Sequence, residues 1–431
     1  MTPAAHALAA IEVLSEIESR HRPAPQALKD WGGSHRFAGS GDRARIASLV
    51  YDALRSRASI AWRMGAETPR ALVLGALAFT RSADVTALAA AFGSSPHAPE
   101  PPSDAERSAM TSGDSLEAAP AHVRGDYPEW LDVPLARVFG EERAEEGEAL
   151  ARRAPLDLRV NALKGDRAKA ERSLAHLKPL PTPLSPWGLR IPLSDDGRGP
   201  PVQAEPAYLK GLVEVQDEGS QIAALIAAAA PGEQVVDLCA GAGGKTLALA
   251  AGMRNTGQIY AHDSDVRRLA PLNERATRAG VRNFQFRSPR GGADVLSDLV
   301  ERADLVLVDA PCTGAGTWRR NPDAKWRMRP SALEHRMVEQ DAVLEAGAPL
   351  VKPGGRLVYV TCSVLSEENE DRIAAFLSRH PEFRSVAAVE AAVSAGLPAV
   401  AAHANGAGDA LLLTPRRSGT DGFFVATLTR S

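Results

Sequence analysis

Asp237-Leu238-Cys239-Ala240-Gly241-Ala242-Gly243-Gly244-Lys245-Thr246 reads as the end of a strand, a glycine-rich turn and the start of a helix. Three turn chemistries share this outline. A phosphate-binding loop needs glycine five positions before the glycine of Gly244-Lys245-Thr246, and Cys239 stands there. A dinucleotide fingerprint needs a third glycine where the chain has Thr246. What remains is an acidic strand end followed by Gly241-Ala242-Gly243, where glycine lets backbone approach a ligand closely.

Downstream and upstream of that turn the pattern is one of alternation. Residues 234–238, 258–263, 304–309 and 356–361 are short β-branched or apolar runs separated by helix-length segments, and 423–428 forms a last run after Asp421-Gly422. Such βαβ spacing predicts a parallel sheet with helices on both faces, and hence ligands at the carboxyl ends of its strands. Asp263 ends the run after the glycine turn, 22 residues beyond Gly241, where a carboxylate can accept hydrogen bonds from ribose hydroxyls. The combination fits a nucleoside-type ligand, S-adenosylmethionine. An unliganded tight turn is the plainer alternative.

All three cysteines lie at or just beyond predicted strand ends: Cys239 in the turn itself, Cys312 after Asp309-Ala310-Pro311, and Cys362 between Thr361 and Ser363. Most isolated cysteines are small buried hydrophobes, and Cys239 suits that description. Two thiols and a carboxylate at one sheet edge suit a particular reaction. Carbon 5 of cytosine is too weak a nucleophile to accept a methyl group directly. Addition of a thiolate to carbon 6 makes the ring enamine-like and carbon 5 nucleophilic. A second thiol or other base near the adduct then helps to expel the first. A carboxyl hydrogen-bonded to ring nitrogen 3 stabilises the charge that develops, and Asp309 is the candidate. Only a few per cent of an ordinary thiol is ionised at neutral pH, so a cation is expected nearby: Lys245, Lys325 or an arginine. Three dispersed cysteines with no Cys-x-x-Cys pair make a poor metal set, and no metal is expected.

The bulk composition bounds the rest. At 431 residues, with 44% hydrophobic and 24% charged side chains, the chain is expected to fold as two or three soluble domains. No apolar run is long enough for a membrane span, and His6, Glu12 and Glu16 break any signal-peptide core, so a cytoplasmic location is expected. The net charge of −3 excludes a generic nucleic-acid coat, so any nucleic-acid contact must be local. Residues 1–90 read as helical; Ile46, Leu49, Val50, Ala53 and Leu54 make one apolar face of a helix over 42–55, with Arg43, Arg45 and Arg55 carrying charge outward. Four prolines between Gly93 and Asp104 mark a flexible edge. We expect a helical domain over 1–140, a small α+β connecting module over 141–213 and a Rossmann-like catalytic domain over 214–431.

Several motifs in order resemble the Sun/RsmB family of RNA cytosine-5 methyltransferases. They are Val215-Gln216-Asp217-Glu218-Gly219-Ser220-Gln221, the 237–246 turn, Asp309-Ala310-Pro311-Cys312, Thr361-Cys362-Ser363 with Glu367-Glu368-Asn369, and Asp421-Gly422-Phe423-Phe424. The resemblance implies that Cys362 is the nucleophile and that Cys312 assists release. It implies that Cys239, Ala240, Gly241, Ala242, Gly243, Gly244, Lys245 and Asp263 hold S-adenosylmethionine, and that Asp309 borders both cofactor and base. Upstream, residues 42–55 resemble a NusB-like RNA-binding domain, and His122–Leu131 with Arg159-Val160-Asn161 resemble the connecting region of RsmB-type members. The substrate so implied is 16S ribosomal RNA, with no obligate protein partner. One departure stands out: family members carry an acidic residue after the third strand, against adenine, whereas Phe286-Arg287-Ser288-Pro289-Arg290-Gly291-Gly292 has none and Asp294 is the nearest.

Between the two cysteine strands, residues 318–330 hold two tryptophans and five basic residues. Arg319, Arg320, Lys325 and Trp326 are therefore expected to touch RNA through phosphates and stacking; a basic loop with inward tryptophans is the alternative. The target base must be unstacked to expose carbons 5 and 6. Transfer RNA as substrate, an idle RNA-binding assembly factor and a small-molecule methyltransferase are competing readings. The last leaves the N-terminal helices and the Trp/Arg segment without a purpose.

Overall fold

The structure, a computed structural model, describes residues 1–93, 97–112, 115–194, 199–288 and 294–431. Residue 96 of the proline-rich edge and residues 289–292 of the adenine-side stretch lie outside the described residues. The chain divides into two compact units. One is Met1–Arg153 with Trp318–Arg329, and the other is Ala154–Thr317 with Pro330–Ser431.

The first unit is helical. Its first five helices are α1 (Pro3–Arg20), α2 (Ala24–Ser34), α3 (Ser40–Arg55), α4 (Arg57–Met64) and α5 (Pro69–Gly75). Helix α1 starts where the Thr2 hydroxyl accepts the Ala5 N–H and Pro3 takes the first turn, where its missing N–H costs nothing. The expected apolar face of α3 is buried: Ile46, Leu49, Val50, Ala53 and Leu54 are all at most 2% exposed. Burying each large aliphatic of that face contributes about 1.5–3 kcal/mol, which exceeds what helix propensity alone supplies. Arg55 departs from expectation. Its guanidinium turns inward and donates to the carbonyls of Ala151, Arg152 and Arg319.

The second unit carries two sheets. The larger has the order β10-β12-β9-β8-β5-β6-β7, with β11 also pairing β12. These strands are β5 (Gln234–Asp237), β6 (Gln258–His262), β7 (Phe284–Arg287), β8 (Ala303–Asp309), β9 (Val351–Thr361), β10 (Phe383–Val386), β11 (Ala410–Leu413) and β12 (Phe423–Arg430). Strands β5 to β9 are mutually parallel, and β12 runs antiparallel to β9. The expected parallel sheet is thus a mixed one. Val235, Val236, Leu305, Leu307, Val358 and Val360 are fully buried, as apolar runs covered on both faces should be. The chain leaves β5 towards β6 and β7, then crosses back to β8 and β9. The carboxyl ends of β5 and β8 therefore flank the switch point where open α/β sheets bind ligands.

The smaller sheet is antiparallel, order β2-β3-β1-β4, from β1 (Leu156–Val160), β2 (Leu180–Pro181), β3 (Gly188–Ile191) and β4 (Val213–Val215). The connecting module expected over 141–213 is divided here: residues 141–153 fall in the helical unit, and the small sheet falls in the same unit as the large one. Polar contacts explain this. Glu218, fully buried, accepts the N–H groups of Leu184 and Ser185, while Asp157 accepts both Arg190 and the Glu218 N–H. Glu214 receives Arg275 and Arg278 from the helix Val266–Ala279. Among the described residues no helix is long and apolar enough to cross a membrane.

Candidate active site at the strand ends

The glycine turn is built as its residues demand. Gly241 and Gly243 have φ of +50° and +84°, backbone that L side chains rarely adopt. A Cβ on Gly243 would lie 2.1 Å from Leu272 Cδ1. The Gly241 N–H donates to Asp263 Oδ2 at 3.0 Å, and the Asp265 N–H to Asp263 Oδ1 at 2.9 Å. Each Asp263 oxygen keeps a further acceptor site. Asp237, at the end of β5, accepts the Thr246 hydroxyl through Oδ2 at 2.6 Å, whereas its buried Oδ1 has no partner among the described residues. Burial, together with the neighbouring Asp309 and Asp263 charges, pushes Asp237 up to about 7 against the opposing effects of Thr246 and Lys245. The Cys239 thiol is likewise pushed up, by burial first and then by Asp309, Asp237 and Asp263, so it stays neutral. An orphan buried oxygen, a bared glycine backbone and the Asp263 carboxylate fit a polar nucleoside ligand carrying a cationic centre.

Lys245, on the first turn of the helix Gly244–Gly252, bonds Asp309 Oδ2 at 2.7 Å and lies 5.3 Å from the centre of the Phe423 ring. Three residues past Asp309 comes Cys312, whose Sγ sits 3.3 Å from Cys362 Sγ. The hydrogen bond to Cys362 is the main cause holding the Cys312 thiol well above its ordinary range, followed by burial and the Cys362 and Glu368 charges. The two sulfurs thus stand side by side at the ends of neighbouring strands.

A pair of adjacent buried side chains fixes these turns. Glu368 accepts the Thr313 N–H at 2.7 Å, the Thr313 hydroxyl at 2.5 Å and Gln340 Nε2 at 2.9 Å; Gln340 also donates to the Pro311 carbonyl. Asn369 accepts the Thr361 hydroxyl at 2.5 Å and donates to the Ser363 carbonyl at 3.0 Å. One residue thus holds the Cys312 turn and the next holds the Cys362 turn. The Gly316 N–H donates to the Cys362 carbonyl, and Gly316 lies so close to Gly422 that a Cβ would meet the Gly422 oxygen at 2.2 Å. Among the described residues no group of His, Cys, Asp or Glu is placed to hold a metal ion.

Residues 224–429 match the family model described as 16S rRNA methyltransferase RsmB/F. A probable ribosomal RNA small subunit methyltransferase B from Synechocystis is 34% identical over 71% of this chain and 67% of that protein. This chain belongs to the RsmB/F family. The ribosomal RNA small subunit methyltransferase B of Salmonella typhi is 35% identical over 62% of this chain, which spans about three-fifths (61%) of that relative. The solved structure of PH0851 superposes with a TM-score of 0.72 at 25% identity, covering 99% of both chains.

Within this RsmB/F-family chain, the second unit brings together the cysteines, Asp309, Lys245, Asp263 and the 239–244 turn. The Trp/Arg segment behaves otherwise. Trp318–Arg329 joins the helical unit, where the Trp326 indole N–H donates to the Leu54 carbonyl and Lys325 Nζ to the Arg55 carbonyl. Lys325 is fully buried, and desolvation pushes it down to about 7, opposed by Asp126. The expectation that Lys325 meets RNA phosphates, or stabilises a thiolate, is therefore corrected: its ammonium is enclosed among helices. Arg319 is buried as well, Trp326 is half-buried, and Arg320 is exposed. Asp294 accepts the Leu296 N–H within its own turn. The sequence reading missed Gln340, Thr313 and Gly316, and quoted Glu368 and Asn369 without roles. Two polar residues side by side shortly after a strand-end cysteine were the available signal.

Proposed function

We propose that this chain transfers a methyl group from S-adenosylmethionine to carbon 5 of a cytosine in 16S ribosomal RNA, with Cys362 as nucleophile. The observation that carries the reading is the pair of thiols 3.3 Å apart at the ends of neighbouring strands β8 and β9. The 239–245 turn, Asp263 and Asp309 would hold the cofactor, which supplies an electrophilic methyl group when bound. The Cys362 thiol gives up its proton to solvent as its sulfur bonds to carbon 6, and the carbon 5–carbon 6 π electrons shift to carbon 5, which becomes the methyl acceptor. Asp309, 2.7 Å from Lys245 Nζ, shares a proton with ring nitrogen 3 in a hydrogen bond as charge accumulates, and the proton returns to the Asp309–Lys245 pair when the adduct collapses. After transfer, the carbon 5 proton passes to Cys312 sulfur while the Cys312 proton passes to the departing Cys362 sulfur. The double bond reforms and both thiols are restored.

The helical unit resembles a NusB-like RNA-binding domain in sequence, and exposed Arg320, Arg327 and Arg329 offer phosphate contacts there. Such a protein works in the cytoplasm, where ribosomal RNA is assembled. The test is transfer of a radiolabelled methyl group to 16S RNA. Cys362→Ala should be inactive and form no adduct, whereas Cys312→Ala should accumulate a denaturant-resistant protein–RNA complex. Near-normal transfer by Cys362→Ala, or label on a base other than cytosine, would overturn the reading.

A further inference from the structure

The second unit contains a cavity of about 570 Å³ that none of Cys312, Cys362, Asp309 or Asp263 lines. It lies where β1, the approach to β3 and the helices Glu218–Ile226 and Gly244–Gly252 meet. Its walls are aliphatic (Val160, Leu163, Leu225, Ala248), and Trp187 stands at its side. Two guanidinium groups, Arg159 and Arg254, also line it, and no carboxylate does.

Arg159 is only 5% exposed, yet the sole hydrogen bond its side chain makes among the described residues is from Nε to Gln216 Oε1 at 2.6 Å. Burial lowers it to about 10, so it remains charged at neutral pH. The carboxylate that helps keep it so, Glu214, is already bound by Arg275 and Arg278. The other polar groups nearby are satisfied: Ser185 Oγ donates to Gln221 Oε1, and Gln221 Nε2 donates to the Gln216 carbonyl. A nearly buried cation with free donors needs an anion, because an enclosed charge without a partner is costly. An indole and aliphatic walls beside it suit a flat ring.

We propose that this cavity is a nucleotide site, with a phosphate on Arg159 and Arg254 and a base against Trp187. Its size lies within the range of small-ligand pockets. Two sources carry that chemistry: a nucleotide of the substrate RNA away from the target cytosine, or a free mononucleotide. The first source rests on the RNA-methyltransferase reading above.

The test uses the full chain with Arg254→Glu, an exposed position, and Arg159→Gln, each checked by circular dichroism. Cytidine monophosphate binding is measured by calorimetry, and single-stranded ribosomal RNA binding by filter retention across salt concentrations. If RNA occupies the cavity, both variants bind RNA about ten-fold or more weakly, the salt slope falls by about one, and ultraviolet cross-links map to Trp187. If a free nucleotide does, monophosphate binding is lost and RNA binding stays. Unchanged binding of both ligands in folded Arg254→Glu would overturn the proposal. Binding is read without methyl transfer, so an inactive chain that still needs Arg254 for RNA would refute only the catalytic reading.

Discussion

Glu368 offers the sharpest test of how the thiol pair is controlled. Its fully buried carboxylate accepts three hydrogen bonds, two from Thr313 and one from Gln340. Glu368→Ala strands three donors, each costing about 1–3 kcal/mol when left unmade inside a protein. The donors are neighbours and do not add fully, so a loss of about 3–5 kcal/mol is expected. The Cys312 turn would shift with it, and a misplacement near 1 Å costs about 100-fold in rate. Glu368→Gln separates geometry from charge. Its amide oxygen can take the Thr313 and Gln340 N–H groups, and the Thr313 hydroxyl can turn to accept its NH2, so the stability loss should stay within about 1–2 kcal/mol. The negative charge is gone, however, and that charge helps hold Cys312 protonated. Cys312 should then ionise at lower pH, moving the alkaline limb of kcat for methyl transfer towards neutrality. The assay is urea unfolding beside a pH–rate profile at saturating RNA. A Glu368→Ala protein within 1 kcal/mol of wild type, or a Glu368→Gln profile whose alkaline limb stays in place, would refute the reasoning.

Other outcomes follow from single contacts. Gly243→Ala combines a φ of +84° with a Cβ 2.1 Å from Leu272, so S-adenosylmethionine binding by calorimetry should weaken at least ten-fold and stability should fall by about 1–3 kcal/mol; normal binding would contradict this. Asp237 is raised to about 7, so its contribution to stability is complete below its ordinary value near 4 and is lost as pH rises through 7. Urea unfolding of the ligand-free protein between pH 4 and 8 should show that loss, up to about 4 kcal/mol, and Asp237→Asn should flatten it; identical slopes would exclude the effect. Lys325→Met should destabilise the helical unit by about 1–3 kcal/mol, because the Arg55 carbonyl loses its donor and Asp126 loses its nearby cation. The same variant should leave RNA affinity within about two-fold, since the ammonium is enclosed; a large affinity loss at normal stability would restore an RNA role for it.

Local pattern made much of this protein readable. Strand-length apolar runs, the 237–246 turn and the apolar stripe of 42–55 each report a backbone period and a buried face, and β5, β6, β8 and α3 formed where those signals stood. The cysteines' positions at strand ends were readable for the same reason. Their approach to 3.3 Å was not, because 50 residues separate them and only the pairing of β8 with β9 closes that gap. Nor could composition say which way a basic segment faces. Residues 318–329 look like a solvated RNA-binding loop, but Lys325 and Trp326 find carbonyl acceptors on α3, and burial against helices decides their direction. The small sheet's allegiance to the large one depends on Glu218, Asp157 and Glu214 meeting partners far along the chain. Sequence by itself determined the elements and the chemistry available at their ends, since both rest on residues near one another in the chain. Tertiary structure decided which thiols meet, what holds their turns and which arginine is buried beside a cavity, because these depend on packing and on charges brought together from distant segments.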